Sequence, residues 1–123
     1  MNRSDARELA FKTIYSKFFN QEAEVELENA DTKNLEFVTK ILKTFAEHYQ
    51  EINDTISSHL KGYTIERLYK VDLAILVLAI IEINYIKENP KQVVINEAVE
   101  LAKKFSTEKS HKFINGVLAD ILK

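Results

Sequence analysis

The stretch LAILVLAII, residues 73–81, is the longest apolar run in the chain and decides its fold class. Asp72 and Glu82 flank its nine residues. The run is too short to cross a lipid bilayer, because a membrane-spanning helix needs about 20 apolar residues. A short helix that is apolar on every side is typical of a protein core. We therefore expect this run to form a central helix around which the other segments pack.

Turn-forming residues are scarce in the rest of the chain. Among 123 residues there are two glycines, Gly62 and Gly116, and one proline, Pro90. Apolar residues recur at spacings of three and four almost throughout, which is the period of an amphipathic helix. β proteins need more turns than these residues provide. The sequence predicts an all-α fold of six or seven helices in a single domain, residues 1–123.

The apolar periodicity also predicts where the helices lie. A break is expected in the second stretch near residues 49–54, and a kink in the third near Lys70. Ser4 is the candidate N-cap of the first stretch and Gly62 the candidate C-cap of the second. An acidic connector, residues 20–36, follows the first helix, and its first half is expected to be solvated. The predicted helical stretches are 4–19, 33–61, 65–87, 95–105 and 109–122.

The composition excludes several classes of protein. The formal net charge is −2 and 46% of the residues are hydrophobic, which is typical of a globular chain without a global basic field. The chain has no cysteine, which excludes disulfides and Cys-ligated zinc. The N-terminus lacks the apolar core of a signal peptide. We expect a cytoplasmic protein without a membrane segment, and the absence of cysteine is compatible with that compartment.

Two arginines near the N-terminus are unusually placed. Arg3 and Arg7 stand on the same helical line as Ala10 and Ile14, a line expected to face the core. Cations near a helix N-terminus also oppose the helix dipole, at a cost of about 0.3–1 kcal/mol each. Two interpretations remain open. The arginines are solvated side chains at a frayed helix end, or they form a phosphate-binding arm.

The segment INEAVELAKKFSTEKSHKFINGVL, residues 95–118, concentrates lysines around a predicted turn between two helices. Phe113 stands at the rim of the apolar face of the last helix. An exposed aromatic ring can stack on a base while neighbouring ammonium groups bind phosphates. The alternative is that Phe113 belongs to the core and that the lysines are ordinary surface residues. The lysines of this cluster are Lys103, Lys104, Lys109 and Lys112.

The sequence contains no catalytic or metal-binding pattern. His48, His59 and His111 are scattered without ligand-like spacing, and the two glycines lie too far apart for a Gly-rich phosphate-binding loop. We therefore expect neither a cofactor nor an enzymatic activity. Two arginines and two lysines can neutralise about four phosphates, so single-stranded RNA is expected to bind weakly to the chain alone. Specific binding would need a partner protein.

Three blocks of the chain resemble the NusB family of transcription antitermination factors. INEAVELAKKF…SHKFINGVL is similar to the family's C-terminal signature. ARELAFKTIY, residues 6–15, resembles its first helix, and ERLYKVDLAILVLAIIEI, residues 66–83, resembles its central helix. The resemblance covers the chain apart from the acidic connector. It implies an all-helical fold of about seven helices in two small packed subdomains.

The resemblance also implies a function. Members of the family are adaptors without catalytic chemistry that bind the boxA element, a single-stranded stretch of nascent ribosomal RNA leader transcripts. Binding is implied as a heterodimer with NusE, a small-subunit ribosomal protein, within the antitermination complex of RNA polymerase. Some relatives self-associate, so a homodimer of the free protein is a further expectation.

Two sets of binding residues follow from the resemblance and the basic turn. Lys109 joins the RNA-binding set from the residue pattern, and it stands where some relatives carry an acid. The expected RNA-binding residues are Arg3, Arg7, Tyr15, Lys109, Lys112 and Phe113. The expected partner-binding residues are Glu66 and Asp72.

Two other functions remain open at this stage. The same helical module resembles the N-terminal domain of certain ribosomal RNA cytosine methyltransferases. Those enzymes need catalytic cysteines and a cofactor-binding domain, so this chain would be a detached accessory domain. The second alternative is a helical adaptor that binds only proteins, which an RNA-binding assay distinguishes from the antitermination factor.

Overall fold

The computed structural model of the protein describes residues 1–24 and 31–123, which form five α-helices and no β-strand. A single 3-10 turn, Ile65–Arg67, precedes the third helix, and a π-helical turn, Glu82–Ile86, follows it. Residues 25–30 of the acidic connector lie outside the described residues. The helices are α1 (Arg3–Lys17), α2 (Thr32–Ser58), α3 (Lys70–Ile81), α4 (Lys91–Phe105) and α5 (Ser110–Ile121).

Helix α3 is the central element of the fold, as its apolar run predicts. Every residue from Asp72 to Ile81 is buried, and α3 packs against each of the other four helices. Burial of one Val, Leu or Ile side chain stabilises a fold by about 1.5–3 kcal/mol. The packing of the neighbouring helices around α3 therefore contributes a large part of the hydrophobic stabilisation of the fold. No helix among the described residues has the length and apolar character needed to cross a membrane.

The prediction of about seven helices is wrong for the described residues, which form five. The break expected near residues 49–54 does not occur, because Ile52 and Ile56 continue the buried face of α2 across it. In the third stretch Leu68 and Tyr69 are extended, with ψ of 146° and 138°, so α3 begins only at Lys70. The kink predicted near Lys70 is the point at which a helix begins.

Two predicted helix caps also differ from the structure. Asn2, not Ser4, caps α1, because its side chain accepts from the Asp5 amide while the Asp5 carboxylate accepts from the Asn2 amide. Helix α2 ends at Ser58, so Gly62 is not its cap. Gly62 lies in the following turn with φ of +81°, a conformation that favours glycine because it lacks a Cβ atom.

The two ends of α3 carry buried carboxylates that fix the neighbouring helices. Glu82 contacts Arg7 of α1, and Asp72 contacts Ser110 of α5. At a rise of about 1.5 Å per residue, these carboxylates lie about 15 Å apart along the helix axis. The other end of α1 shares a groove with Lys70, so α1 runs antiparallel to α3. The N-terminus of α1 and the N-terminus of α5 therefore lie at opposite ends of the core.

Arg7 is a correction to the sequence analysis, which assigned it to RNA binding at an overhanging helix end. It is 3% exposed and donates two hydrogen bonds to Glu82, at 2.7 Å and 2.9 Å. Glu97 adds a second carboxylate at 3.5 Å. Burial by itself lowers the pKa of Arg7, but the hydrogen bonds and charge of Glu82, with the charges of Glu97 and Glu88, raise it overall. Arg7 therefore stabilises the core as a paired cation and is not available to a phosphate.

We predict that Arg7→Ala lowers the free energy of unfolding by about 3–5 kcal/mol, because it leaves the buried Glu82 carboxylate without its partner. Arg3→Ala is the matched control. Its side chain is 35% exposed and its ion pair with Glu88 spans 3.6 Å, so a loss below about 1 kcal/mol is expected. Urea denaturation monitored by circular dichroism measures the free energy of unfolding of both variants. Equal, small losses in the two variants would contradict the structural role of Arg7.

Candidate nucleic-acid interface

The turn between α4 and α5 is held by a buried carboxylate. Ser106 Oγ donates to Asp72 Oδ1 at 2.5 Å, and Ser110 Oγ donates to Asp72 Oδ2 at 2.9 Å. Thr107 Oγ1 lies 2.9 Å from Ser110 Oγ and can donate its proton to it. Asp72 itself stands in the first turn of α3, where the helix dipole favours a negative charge. The turn is therefore fixed to the central helix through side chains at both of its ends.

Asp72 corrects the expected partner-binding set. It is 4% exposed, and two serine hydroxyls occupy its carboxylate oxygens. A side chain in this position cannot reach a partner protein. Asp72 acts instead as a positioning residue for the turn. Glu66, the other expected partner-binding residue, is exposed in the 3-10 turn before α3, and its role stays a prediction.

The four lysines around this turn separate into two groups. Lys103 pairs with Glu100 on its own helix at 3.6 Å, and Lys104 pairs with Glu8 of α1 at 2.6 Å. Lys109 and Lys112 are exposed and form no ion pair with a described carboxylate. These two ammonium groups are available to an anion. We call residues 106–109, which join α4 to α5, together with Lys112 the basic turn.

Phe113 follows the basic turn and is half-buried rather than sealed in the core. Its ring meets that of Tyr63 edge to face, with centroids 5.6 Å apart and planes at 83°. Tyr63 is 52% exposed and comes from the connection between α2 and α3. The two rings border a groove of about 300 Å³ that Lys61 and Gly116 also line. The groove thus combines aromatic surfaces with ammonium groups from two separate segments.

A polar pair, His59 and Asp120, also lines this groove. His59 Nδ1 lies 2.7 Å from Asp120 Oδ2, which joins the end of α2 to the end of α5. The hydrogen bond to His59, with a second from Lys123, lowers the pKa of the Asp120 carboxyl from its ordinary value of 3.8. The carboxylate is therefore ionised at neutral pH. The pair fixes the segment that carries Lys61 and Tyr63 against α5.

Tyr15 lies at the same end of the molecule as the basic turn. Helix α1 reaches this end because Phe11 packs against Phe105, the last residue of α4, with ring centroids 5.3 Å apart. Tyr15 stands one helical turn further along α1 and is half-buried. Its expected role in RNA binding stays a prediction, now with a consistent location.

Arg3 lies at the opposite end. Its guanidinium stands 4.1 Å from the Phe37 ring centroid and pairs with Glu88. Because the Arg7 contact places the start of α1 beside the C-terminal end of α3, Arg3 is remote from Lys109 and Lys112. The expected RNA-binding residues therefore do not form one contiguous surface. Tyr15, Lys109, Lys112 and Phe113 share an end, and Arg3 does not belong to it.

Sequence analysis missed two residues of the groove, Lys61 and Tyr63. Both lie beside Gly62 in a segment without helical periodicity, where an aromatic residue has no helix face to bury. An aromatic residue beside a glycine in a non-helical segment was the signal that could have identified this part of the groove. Their contact with Phe113 depends on how α2 packs on α5, which local sequence does not encode.

The geometry defines a small all-helical adaptor with a basic and aromatic surface at one end of its central helix. Among residues 1–24 and 31–123, no three His, Asp or Glu side chains are grouped to hold a metal ion. A model of the NusB family matches residues 4–123. The chain belongs to the NusB family.

Individual relatives agree with this assignment. The transcription antitermination protein NusB of Finegoldia magna is 38% identical over 130 residues, covering 100% of this chain and 95% of the relative. The crystal structure of T. maritima NusB has a TM-score of 0.90 at 33% identity and covers 98% of this chain and 90% of that chain. A further match is a chain in the crystal structure of antitermination factors NusB and NusE in complex with double-stranded RNA. It has a TM-score of 0.85 at 30% identity and covers 97% of this chain and 94% of that chain.

These relatives decide between the functions that the sequence left open. The NusB family is a family of non-enzymatic antitermination factors, so this protein is an antitermination factor and not an enzyme. The methyltransferase and protein-only alternatives have no support among these relatives.

We predict that Asp72→Ala loosens the basic turn, because Ser106 and Ser110 lose their shared acceptor. An unsatisfied buried hydroxyl costs about 1–3 kcal/mol. Amide hydrogen exchange in residues 106–112 should accelerate, and the free energy of unfolding should fall by a similar amount. Asp72→Asn is expected to lose less of the free energy of unfolding, because its amide oxygen still accepts one hydrogen bond. Unchanged exchange in Asp72→Ala would contradict the positioning role.

We predict that Asp120→Asn flattens the acid limb of the stability curve. A carboxyl whose pKa is lower in the folded than in the unfolded state stabilises the protein above the unfolded pKa. That stabilisation disappears as the pH falls through the folded pKa, here below the ordinary value of 3.8. Urea denaturation at several pH values below about pH 5 measures the effect. Parallel wild-type and Asp120→Asn curves would show that the His59 pair contributes nothing.

Proposed function

We propose that the protein binds boxA-type single-stranded RNA together with NusE, and that the basic turn and the Phe113–Tyr63 groove form its RNA-binding surface. In the antitermination complex of RNA polymerase, this binding would connect the nascent transcript to the elongating enzyme. The similarity to a chain of the crystal structure of NusB and NusE with double-stranded RNA supports NusE and RNA as partners, and the choice of a single strand rests on the groove.

The observation that carries the proposal is the tethering of the basic turn to Asp72. Its serine hydrogen bonds hold the α4–α5 turn in one geometry, so Lys109 and Lys112 are presented without further ordering of the turn. Preorganised contacts lose less conformational entropy on binding. Phe113 and Tyr63 add ring surfaces beside these ammonium groups.

The aromatic groove favours an unpaired RNA strand over a duplex. Bases within an A-form helix are stacked on each other, and their faces are not accessible to a side chain. A single strand can turn its bases toward Phe113 while its phosphates meet Lys109 and Lys112. The groove is shallow and open, which suits a chain that enters and leaves the surface.

The number of available cations supports the need for a partner protein. Arg7 is buried and Arg3 lies at the far end of α3. Lys61 and Lys112 line the groove, and Lys109 adds a third exposed ammonium group in the basic turn. Each phosphate contact with single-stranded RNA contributes a salt slope of about 0.7, and three contacts give weak binding at physiological salt. NusE would supply the remaining contact area.

Other features of the proposal follow from the family. Glu66 is accessible and remains the candidate contact to NusE. The protein would act in the cytoplasm, with a homodimer of the free protein as an alternative use of the same surface. We further propose that the connection between α2 and α3 separates the two small subdomains that the resemblance implies.

The decisive experiment measures binding of a boxA-type RNA and of a scrambled RNA, with and without NusE, across a range of salt concentrations. Fluorescence anisotropy of labelled RNA gives the dissociation constants. We expect tighter binding of the boxA-type RNA when NusE is present, and weak, strongly salt-dependent binding without it. Equal affinity for both RNAs in the presence of NusE would overturn the proposal.

Two variants separate the parts of the surface. Phe113→Ala should weaken binding by about 5- to 150-fold, the loss of about 1–3 kcal/mol of base stacking, with an unchanged salt slope. Lys109→Gln with Lys112→Gln should lower the slope by about 1.4. Lys91→Gln, an exposed lysine at the start of α4, is the matched control and should leave both quantities unchanged. A collapsed salt slope in Phe113→Ala would contradict the stacking role.

A further inference from the structure

Phe19 is an exposed aromatic residue that neither the family resemblance nor the proposed surface includes. It is 66% exposed, more than any other large hydrophobic side chain of the described residues. Its neighbour Phe18 turns inward and packs against Phe45 and Tyr49, with ring centroids 6.2 Å and 6.1 Å away. The end of α1 therefore divides its two phenylalanines between the core and the surface.

Phe19 is not isolated, because it forms a pair with Tyr15. The two rings meet edge to face, with centroids 5.2 Å apart and planes at 66°. In this geometry the edge of one ring meets a face of the other, and the exposed Phe19 ring keeps surface that a base can reach. At 100° per residue, Lys12 and Tyr15 fall on one stripe of α1, and Phe19 extends it in the turn that follows the helix. We call Tyr15 and Phe19 the aromatic pair.

The aromatic pair lies at the same end of the core as the basic turn. The Lys12 ammonium stands 5.2 Å from the ring centroid of Phe105, and the next residue, Ser106, is bound to Asp72. Tyr15 is about 4.5 Å further along the axis of α1 than Lys12, and Phe19 follows the end of the helix.

The charges at the Lys12 end of this stripe favour an anionic partner, whereas Glu22 and Glu24 of the acidic connector follow Phe19. Lys12 and Lys104 share one carboxylate, Glu8, at 3.1 Å and 2.6 Å. The hydrogen bond from Lys104, opposed by partial burial, together with Lys12 lowers the pKa of Glu8, so the group of three is one cation in excess at neutral pH. Tyr15 and Phe19 do not line the groove of about 300 Å³ beside Phe113.

We propose that Tyr15 and Phe19 form a second base-stacking platform for single-stranded RNA that extends beyond the basic turn. The inference rests on the proposed function, because it assigns a continuation to the same RNA strand. Stacking requires only an accessible ring face and tolerates any base. Nucleotides flanking the boxA-type element would therefore add affinity without adding sequence preference.

The test compares a short boxA-type RNA with the same RNA lengthened by a few unpaired nucleotides at its 5′ end or at its 3′ end, all with NusE present. The wild-type protein should bind one of the lengthened RNAs about 5- to 150-fold more tightly than the short one, as expected for stacking of one base. Phe19→Ala should abolish this gain and leave binding of the short RNA unchanged. Phe19→Trp should retain it.

Val93→Ala is the matched control, because Val93 is 40% exposed near the start of α4, at the end of the core that holds Arg7. It should keep the full gain. Thermal unfolding of Phe19→Ala should match that of the wild type, since the ring is exposed. Weaker binding of NusE by Phe19→Ala in the absence of RNA would make the pair a protein contact and overturn the inference.

The two proposals fail separately. If the wild type binds the boxA-type RNA in preference to the scrambled RNA but gains nothing from added nucleotides, the platform is overturned and the proposed function stands. If preference for the boxA-type RNA is missing while the gain from length is lost in Phe19→Ala, the platform is supported and the boxA assignment is overturned.

Discussion

The fold depends on a helix that is buried on every side and carries a carboxylate at each end. Between Asp72 and Glu82, α3 offers its neighbours only apolar surface. Apolar packing is strong but does not by itself select one register of a helix against another. The two carboxylates supply that selection, because a buried charge is stable only where its hydrogen-bonding partners are in place. Arg7 fixes α1 at one end, and Ser106 with Ser110 fixes the α4–α5 turn at the other.

This arrangement links the stability of the core to the geometry of the binding surface. The carboxylate that satisfies the start of α3 also orients the turn from which Lys109 and Lys112 project. A rigid turn is useful to a protein with few cations, since each contact must be made without a large loss of conformational entropy. At the opposite end of α3, Arg7 and Glu82 neutralise each other and hold α1 in place.

The distribution of aromatic residues follows the same division. Phe11, Phe18 and Phe37 face the core or its edge, whereas Tyr63, Phe113 and the aromatic pair surround the end of the molecule that carries the basic turn. Rings at this end come from three separate parts of the chain. A strand of RNA crossing it would meet ring faces from α1, from the α2–α3 connection and from α5. Such a surface is assembled by packing and is not visible as a local motif.

The sequence by itself determined the helical class, the central position of residues 73–81 and the family, because apolar periodicity and long similar blocks are local properties of the chain. It also identified the basic turn, where lysines and a phenylalanine are close in sequence. Tertiary structure alone decided which charged residues are accessible. Arg7 and Asp72 were expected at the surface, yet both are buried. Arg7 pairs with Glu82, 75 residues away along the chain, and Asp72 accepts from Ser106, 34 residues away, so the local sequence does not reveal either contact. The break expected in the second helical stretch rested on its length, and packing decided against it, because the buried face of α2 continues through residues 49–54.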